Sequence, residues 1–234
     1  MPFATHRPLL LVVLAALLLA LTVVACGGAS PTGNAPGGQP GDGPPPPAST
    51  DGDDAAEKIK IKTPDDRSIV EFKPNGAAES VKIEYGANEG ARVLRGELSK
   101  NDERKYQLEG GGQIVEVKLG DDGFKVRTPA GALLWKVKIS DDKIKISNNE
   151  ENANPFVLSV KGDDRVKVLQ NETEIGEVKF YRDRRKVKVK DAGEQELFES
   201  NTDHYSAMYG VLLMQQIPDP ERYVIMAELL LRKR

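Results

Sequence analysis

Residues 186–190 read KVKVK, and the fold follows from that alternation. A period of two places one residue type on each face of an extended strand. The same period recurs in KIKIK at 58–62, DKIKIS at 142–147 and RVKVL at 165–169. Ile144, Ile146, Val187 and Val189 therefore face a core, and Lys143, Lys145, Lys186, Lys188 and Lys190 face water. Turn signals separate these runs: Pro64-Asp65-Asp66, Asp121-Asp122-Gly123, Pro129-Ala130-Gly131, Gly162-Asp163-Asp164 and Ala192-Gly193. The repeated Asp pairs read as hairpin chemistry rather than as calcium ligands.

Outward from this core the pattern repeats. FKVRTPAGALLWKVK at 124–138 aligns with RVKVLQNETEIGEVK at 165–179 and with KVKVKDAGEQELFES at 186–200. Each reads as strand, turn, strand. Units start near 58, 80, 104, 123, 143, 165 and 185, about every 20 residues, and seven two-strand units give 12–14 strands. Only one strand face is apolar. The fold class is therefore mainly β, an antiparallel meander closing on one core as a barrel or a sandwich. Trp135, on one face with Leu133, Val137 and Ile139, belongs to that core.

The last residues break the period. Asp203 is a candidate N-cap, and YSAMYGVLLMQQI at 205–217 is apolar on nearly every side of a helix. Such a helix is buried all round. Asp219-Pro220 reads as an N-cap followed by a first-turn proline. ERYVIMAELLLRKR at 221–234 then gives a second helix whose three final cations suit its negative dipole end. The pair is too short and too proline-broken for a second membrane span. The inside of a barrel is where one of these helices fits. Lys-rich two-strand repeats, stretches such as GALLWKVK at 131–138 and GEVKFY at 176–181, and a hydrophobic C-terminus resemble the tubby, LURP-one and phospholipid scramblase superfamily. The resemblance covers 58–234. It implies a barrel of about 12 strands threaded by its C-terminal helix, and lipid binding through basic surface residues. It assigns no functional residue here, and a second terminal helix departs from it.

At the other end, Leu9–Ala25 is a run of 17 residues with Thr22 as its only polar member, behind a short segment carrying Arg7. These are the charged and hydrophobic parts of a secretory signal. The run closes on Val23-Val24-Ala25-Cys26, which resembles the lipobox of bacterial lipoproteins, with Val rather than Leu three residues before the cysteine. The resemblance implies a signal peptide over 1–25, cleavage before Cys26, and a diacylglyceryl thioether and palmitate-type acylation on Cys26. Residue 27 is Gly rather than Asp, which favours the outer membrane if the cell has two. Gly27–Thr50 holds seven Pro and seven Gly in 24 residues, too few bulky apolar groups to fold. Residues 26–57 are thus expected to be a disordered tether, of which Gly27–Thr50 alone reaches about 75 Å when extended. The folded domain then spans 58–234.

Composition narrows the chemistry. Net charge is −3 and acids and bases interleave, so nothing points to nucleic acid. Cys26 is the only cysteine and His6 and His204 the only histidines, leaving no disulfide and no Cys-based metal cluster. No nucleophile elbow and no Gly-rich phosphate loop occurs. No catalytic residue, metal or cofactor is therefore expected. The most basic run is FYRDRRKVKVK at 180–190. Arg182, Arg184, Arg185, Lys186 and Lys188 are its candidate patch for anionic headgroups or an acidic partner. The functional expectation is a non-enzymatic lipoprotein, anchored in the bacterial cell envelope and facing periplasm or exterior. Its partners would be the membrane, through the anchor, and an envelope protein or amphiphilic ligand. The alternatives are an envelope hydrolase working with a carboxylate pair and a purely structural lipoprotein.

Overall fold

The computed structural model describes residues 58–75, 78–86 and 90–232. The expected signal peptide, Cys26 and the tether lie outside them. Alternation produces strands wherever the sequence carries it: β1 (Ile59–Lys62), β2 (Ser68–Asn75), β3 (Ser80–Tyr85), β4 (Arg92–Leu98), β5 (Glu103–Leu108), β6 (Gln113–Gly120) and β7 (Gly123–Arg127). Then follow β8 (Leu133–Ile139), β9 (Lys143–Ser147), β10 (Phe156–Lys161), β11 (Arg165–Gln170), β12 (Thr173–Tyr181), β13 (Lys186–Asp191) and β14 (Glu196–Asn201). Each pairs antiparallel with its neighbours in sequence, and β1 closes on β14 with Lys62 opposite Glu199. The result is a closed 14-stranded barrel rather than a sandwich.

The seven units of the sequence are its seven strand pairs, and one backbone contact repeats with them. The carbonyls of Glu79, Asp102, Asp122, Asp142, Asp164 and Arg185 accept the N–H groups of Leu98, Leu119, Ile139, Val160, Phe180 and Thr202, at 2.6–2.9 Å. Each turn thereby ties itself to the next unit around the same rim. Asp102 sits there at φ 55°, a left-handed position that a short polar side chain tolerates.

Ile59, Phe72, Ile83, Leu94, Val117, Val126, Ile146, Leu158 and Val187 point inward and are buried. Lys, Arg and Glu alternate with them on the outside. That charged outer wall is the inverse of the apolar band of a transmembrane barrel. No helix among the described residues is long and apolar enough to cross a membrane.

The C-terminal segment fills the barrel in two passes. After β14 it enters beside the β12–β13 turn, where Tyr205 packs on Phe180 with ring centroids 5.6 Å apart. It crosses as a 3-10 helix, Ala207–Leu213, against β10–β13. It turns at the opposite rim, where the Gln216 and Gln170 side-chain amides pair at 2.8 Å. It returns as α1 (Asp219–Leu231), and Arg232 then donates to the Gly120 carbonyl at 3.1 Å. Both passes are buried, not one as the sequence suggested, and the first is 3-10 rather than α. The close wall explains Gly210: a Cβ there would stand 2.6 Å from Leu158 Cδ2. Ser206 rather than Asp203 caps the first pass, its Oγ accepting from the Met208 N–H at 3.1 Å. Asp219 lies inside the first turn of α1 rather than at its cap.

Among the described residues, the one ion pair with both partners fully inside fastens this plug. Arg104 Nε donates to Glu228 Oε1 of α1 at 2.8 Å, and the Tyr106 hydroxyl donates to the same oxygen at 2.8 Å. The remaining Arg104 nitrogens donate to the carbonyls of Glu79 and Ala78 at 2.7 and 2.8 Å. Each guanidinium nitrogen therefore has an acceptor, which offsets the cost of burying the charge. Burial raises the Glu228 pKa above the ordinary glutamate value, against the pull of Arg104 and Tyr106.

Candidate site: a cation-lined groove on the barrel wall

The basic residues singled out in the sequence sit on the β12–β13 hairpin, each with a partner. Arg182 donates to the Asp163 carbonyl at 2.8 Å and lies 4.5 Å from the Tyr205 ring. Arg184 stands 3.4 Å from Asp183, and Arg185 pairs with Asp203 at 2.6 Å. Lys186 pairs with Glu199 at 2.5 Å, and Lys188 pairs with Glu196. Burial opposes ionisation of Glu199, but the hydrogen bond and charge of Lys186 outweigh it and hold the carboxyl below its usual range. The Glu196 hydrogen bond raises Lys188. Positive residues are dense in this stretch, but the fold matches them with negative ones.

Lysine also faces lysine once on that hairpin, Lys179 opposite Lys188, but on the wall formed by β6–β9 such pairs run over three successive strand pairs. The pairing register puts Lys118 opposite Lys125, Lys125 opposite Lys136, and Lys138 opposite Lys145. Like charges directly opposite on neighbouring strands destabilise a sheet. One carboxylate relieves part of this: Glu150 lies 2.7 Å from Lys125, 3.5 Å from Arg127 and 3.8 Å from Lys136. The Lys125 hydrogen bond leads the causes that keep the Glu150 pKa low. Lys118, Lys138 and Lys145 are exposed and have no ion pair among the described residues.

A groove of about 470 Å³ opens among Lys118, Lys125, Lys136 and Lys138, with Lys145 next to it opposite Lys138. It exists because Gly120 and Gly123 face each other across β6 and β7 without side chains. Gly123 is held at φ 152°, and a Cβ on it would stand 1.9 Å from the Val137 carbonyl oxygen, so no other residue fits. Leu119, Phe124 and Val137 border the groove from beneath, with the Phe124 and Val137 side chains buried in the core, and Asp122 places a carboxylate at one edge.

This wall does not stand out in the sequence, because its cations are spread over 118–145 and no local window is strongly basic. A signal was present. Lys118 and Lys125 stand at equal distances from the centre of one Asp-pair turn, and Lys138 and Lys145 from the centre of another. Taken with hairpin pairing, that symmetry sets lysine against lysine.

The second large depression, about 540 Å³ at the rim where the plug turns, is latched by internal bonds. Trp135 Nε1 donates to Glu221 Oε2 at 2.5 Å, and Ser147 donates to Asn152 at 2.6 Å. Trp135 is buried, as its strand pattern implies. No group of three or more metal-ligating side chains occurs among the described residues. Comparison with family models, with curated proteins and with solved structures gave no match.

Proposed function

We propose that this protein is a lipid-anchored protein of the bacterial cell envelope and that its barrel is a non-enzymatic binding domain for an anionic ligand. The ligand docks on the outer wall at β6–β9. The observation that carries this reading is the interior. The protein's own C-terminal segment occupies it, so a ligand has to bind outside, and on the β6–β9 wall three exposed lysines without an ion pair among the described residues, Lys118, Lys138 and Lys145, lie beside further lysines on adjacent strands. The anchor rests on the Val23–Cys26 motif, and the Pro- and Gly-rich segment after it gives the domain reach. Kinship with the tubby-like superfamily belongs to the same proposal, supported by a barrel threaded by its C-terminus.

Two measurements test the two halves. Labelled palmitate should enter the wild-type chain grown in bacteria and be lost from Cys26→Ser; equal label in both removes the anchor. Purified full chain in mild detergent, which masks the proposed anchor, should bind immobilised heparin, a polyanion, at low salt. Lys118→Glu, Lys138→Glu and Lys145→Glu combined should abolish that while leaving the thermal transition in place. Retained binding removes the wall as the binding site.

A further inference from the structure

We infer that the ligand of this groove is a linear acidic polysaccharide, lying across the strands with its carboxylates on the lysine rows. This rests on the reading of the β6–β9 wall as the binding site.

Three features of the wall select that chemistry. The first is spacing. Lys118, Lys125 and Lys136 form one row perpendicular to the strands, and Lys138 and Lys145 continue it one step along on β8 and β9. Neighbouring strands are about 4.8 Å apart, so four strands present positive charge over about 14 Å. A compact anion would meet one or two of these cations. An extended chain with one charge per repeat meets them in succession, and it relieves the like-charge pairs that the register imposes.

The second feature is the lining. Gly120 and Gly123 put no side chain on this part of the wall, which leaves room for a sugar ring, while Phe124 and Val137 beneath them turn inward to the core. The third is Asp122 at the edge, with Glu150 behind the lysines. These carboxylates accept hydrogen bonds from hydroxyl groups and repel a densely charged chain. A polymer with both hydroxyls and spaced carboxylates satisfies all three; polyphosphate satisfies only the first.

The test uses the full chain in mild detergent and galacturonate oligomers of defined length, read by calorimetry at low and at physiological salt. Affinity should rise about tenfold or more from monomer to hexamer, because each added repeat engages a further lysine intramolecularly. Binding should weaken with salt as counterions are displaced. Lys118→Ala, Lys138→Ala and Lys145→Ala combined should cost about 30-fold or more, with the thermal transition unchanged as the check on folding. Neutral galactan should not bind. Equal or tighter binding of polyphosphate, or of vesicles rich in anionic lipid, overturns the polysaccharide assignment and leaves the anionic wall standing. Failure of every anion to bind, or binding that survives the triple variant, overturns both.

Discussion

The β12–β13 hairpin and the β6–β9 wall hold comparable positive charge and use it in opposite ways. On the hairpin the candidate cations meet fixed partners: Asp203 for Arg185, Glu199 for Lys186, Glu196 for Lys188. On the wall Glu150 serves three cations and three lysines stand unmatched among the described residues. Local density of basic residues therefore says little about available charge. What matters is which residues the register brings opposite one another and which carboxylates reach them: the β12–β13 hairpin, with Lys179 opposite Lys188, is neutralised, while three strand pairs of the wall stack lysine on lysine around Glu150.

The interior adds a third arrangement, and the largest expected effect separates it from the other two. Arg104→Ala leaves Glu228 buried without its cation and should destabilise the fold by about 3–5 kcal/mol in urea unfolding. Ligand affinity, scaled to the folded fraction, should stay unchanged. A loss below about 1 kcal/mol would mean that the plug is held by apolar packing alone. On the wall, Glu at Lys118, Lys138 and Lys145 should lower polyanion affinity by about 100-fold at low salt, with little change in unfolding. A comparable loss from Arg182→Ala with Arg184→Ala would erase the contrast between hairpin and wall.

Smaller changes sharpen it. Glu150→Gln releases Lys125, Arg127 and Lys136 and should tighten polyanion binding by about threefold. Unchanged affinity would show that Glu150 already yields to the ligand. The pH dependence has opposite signs inside and out. Glu228 titrates above its unfolded value because of burial, so its contribution is complete below pH 4.5 and is lost as pH rises through the raised pKa. Arg104, Tyr106 and Arg232 face it, and Glu228→Gln should flatten that fall in urea midpoints. Glu150 titrates low through Lys125, so its contribution is present above 4.5 and lost on acidification. The smallest expected effect is that of Arg182→Ala with Arg184→Ala, within about twofold in binding, since exposed ion pairs contribute little.

Much of this architecture is legible in the chain. Val187 and Val189 between three lysines identify a half-buried strand, and the same period identifies the others. The Asp-pair turns mark where strands reverse, and the 20-residue spacing counts the units. The run YSAMYGVLLMQQI announces a buried segment. The candidate site was less legible. The basic run at 180–190 drew attention because it is contiguous, yet its partners Asp163, Glu196, Glu199 and Asp203 come from before it and beyond it. The groove lysines escaped notice because two glycines and a pairing register, not a motif, make them neighbours.

By itself the sequence determined what local chemistry controls. Period-two alternation sets which face of each strand is wet, turn residues set where hairpins reverse, and an unbroken apolar run dictates burial. Only the tertiary structure decided what depends on residues far apart in the chain. Closure of β1 on β14 made a barrel instead of a sandwich. The narrow space inside it made the first pass a 3-10 helix and set Glu228 against Arg104. Charge acts across space and not along sequence, so the availability of each lysine was settled only when the strands came into register.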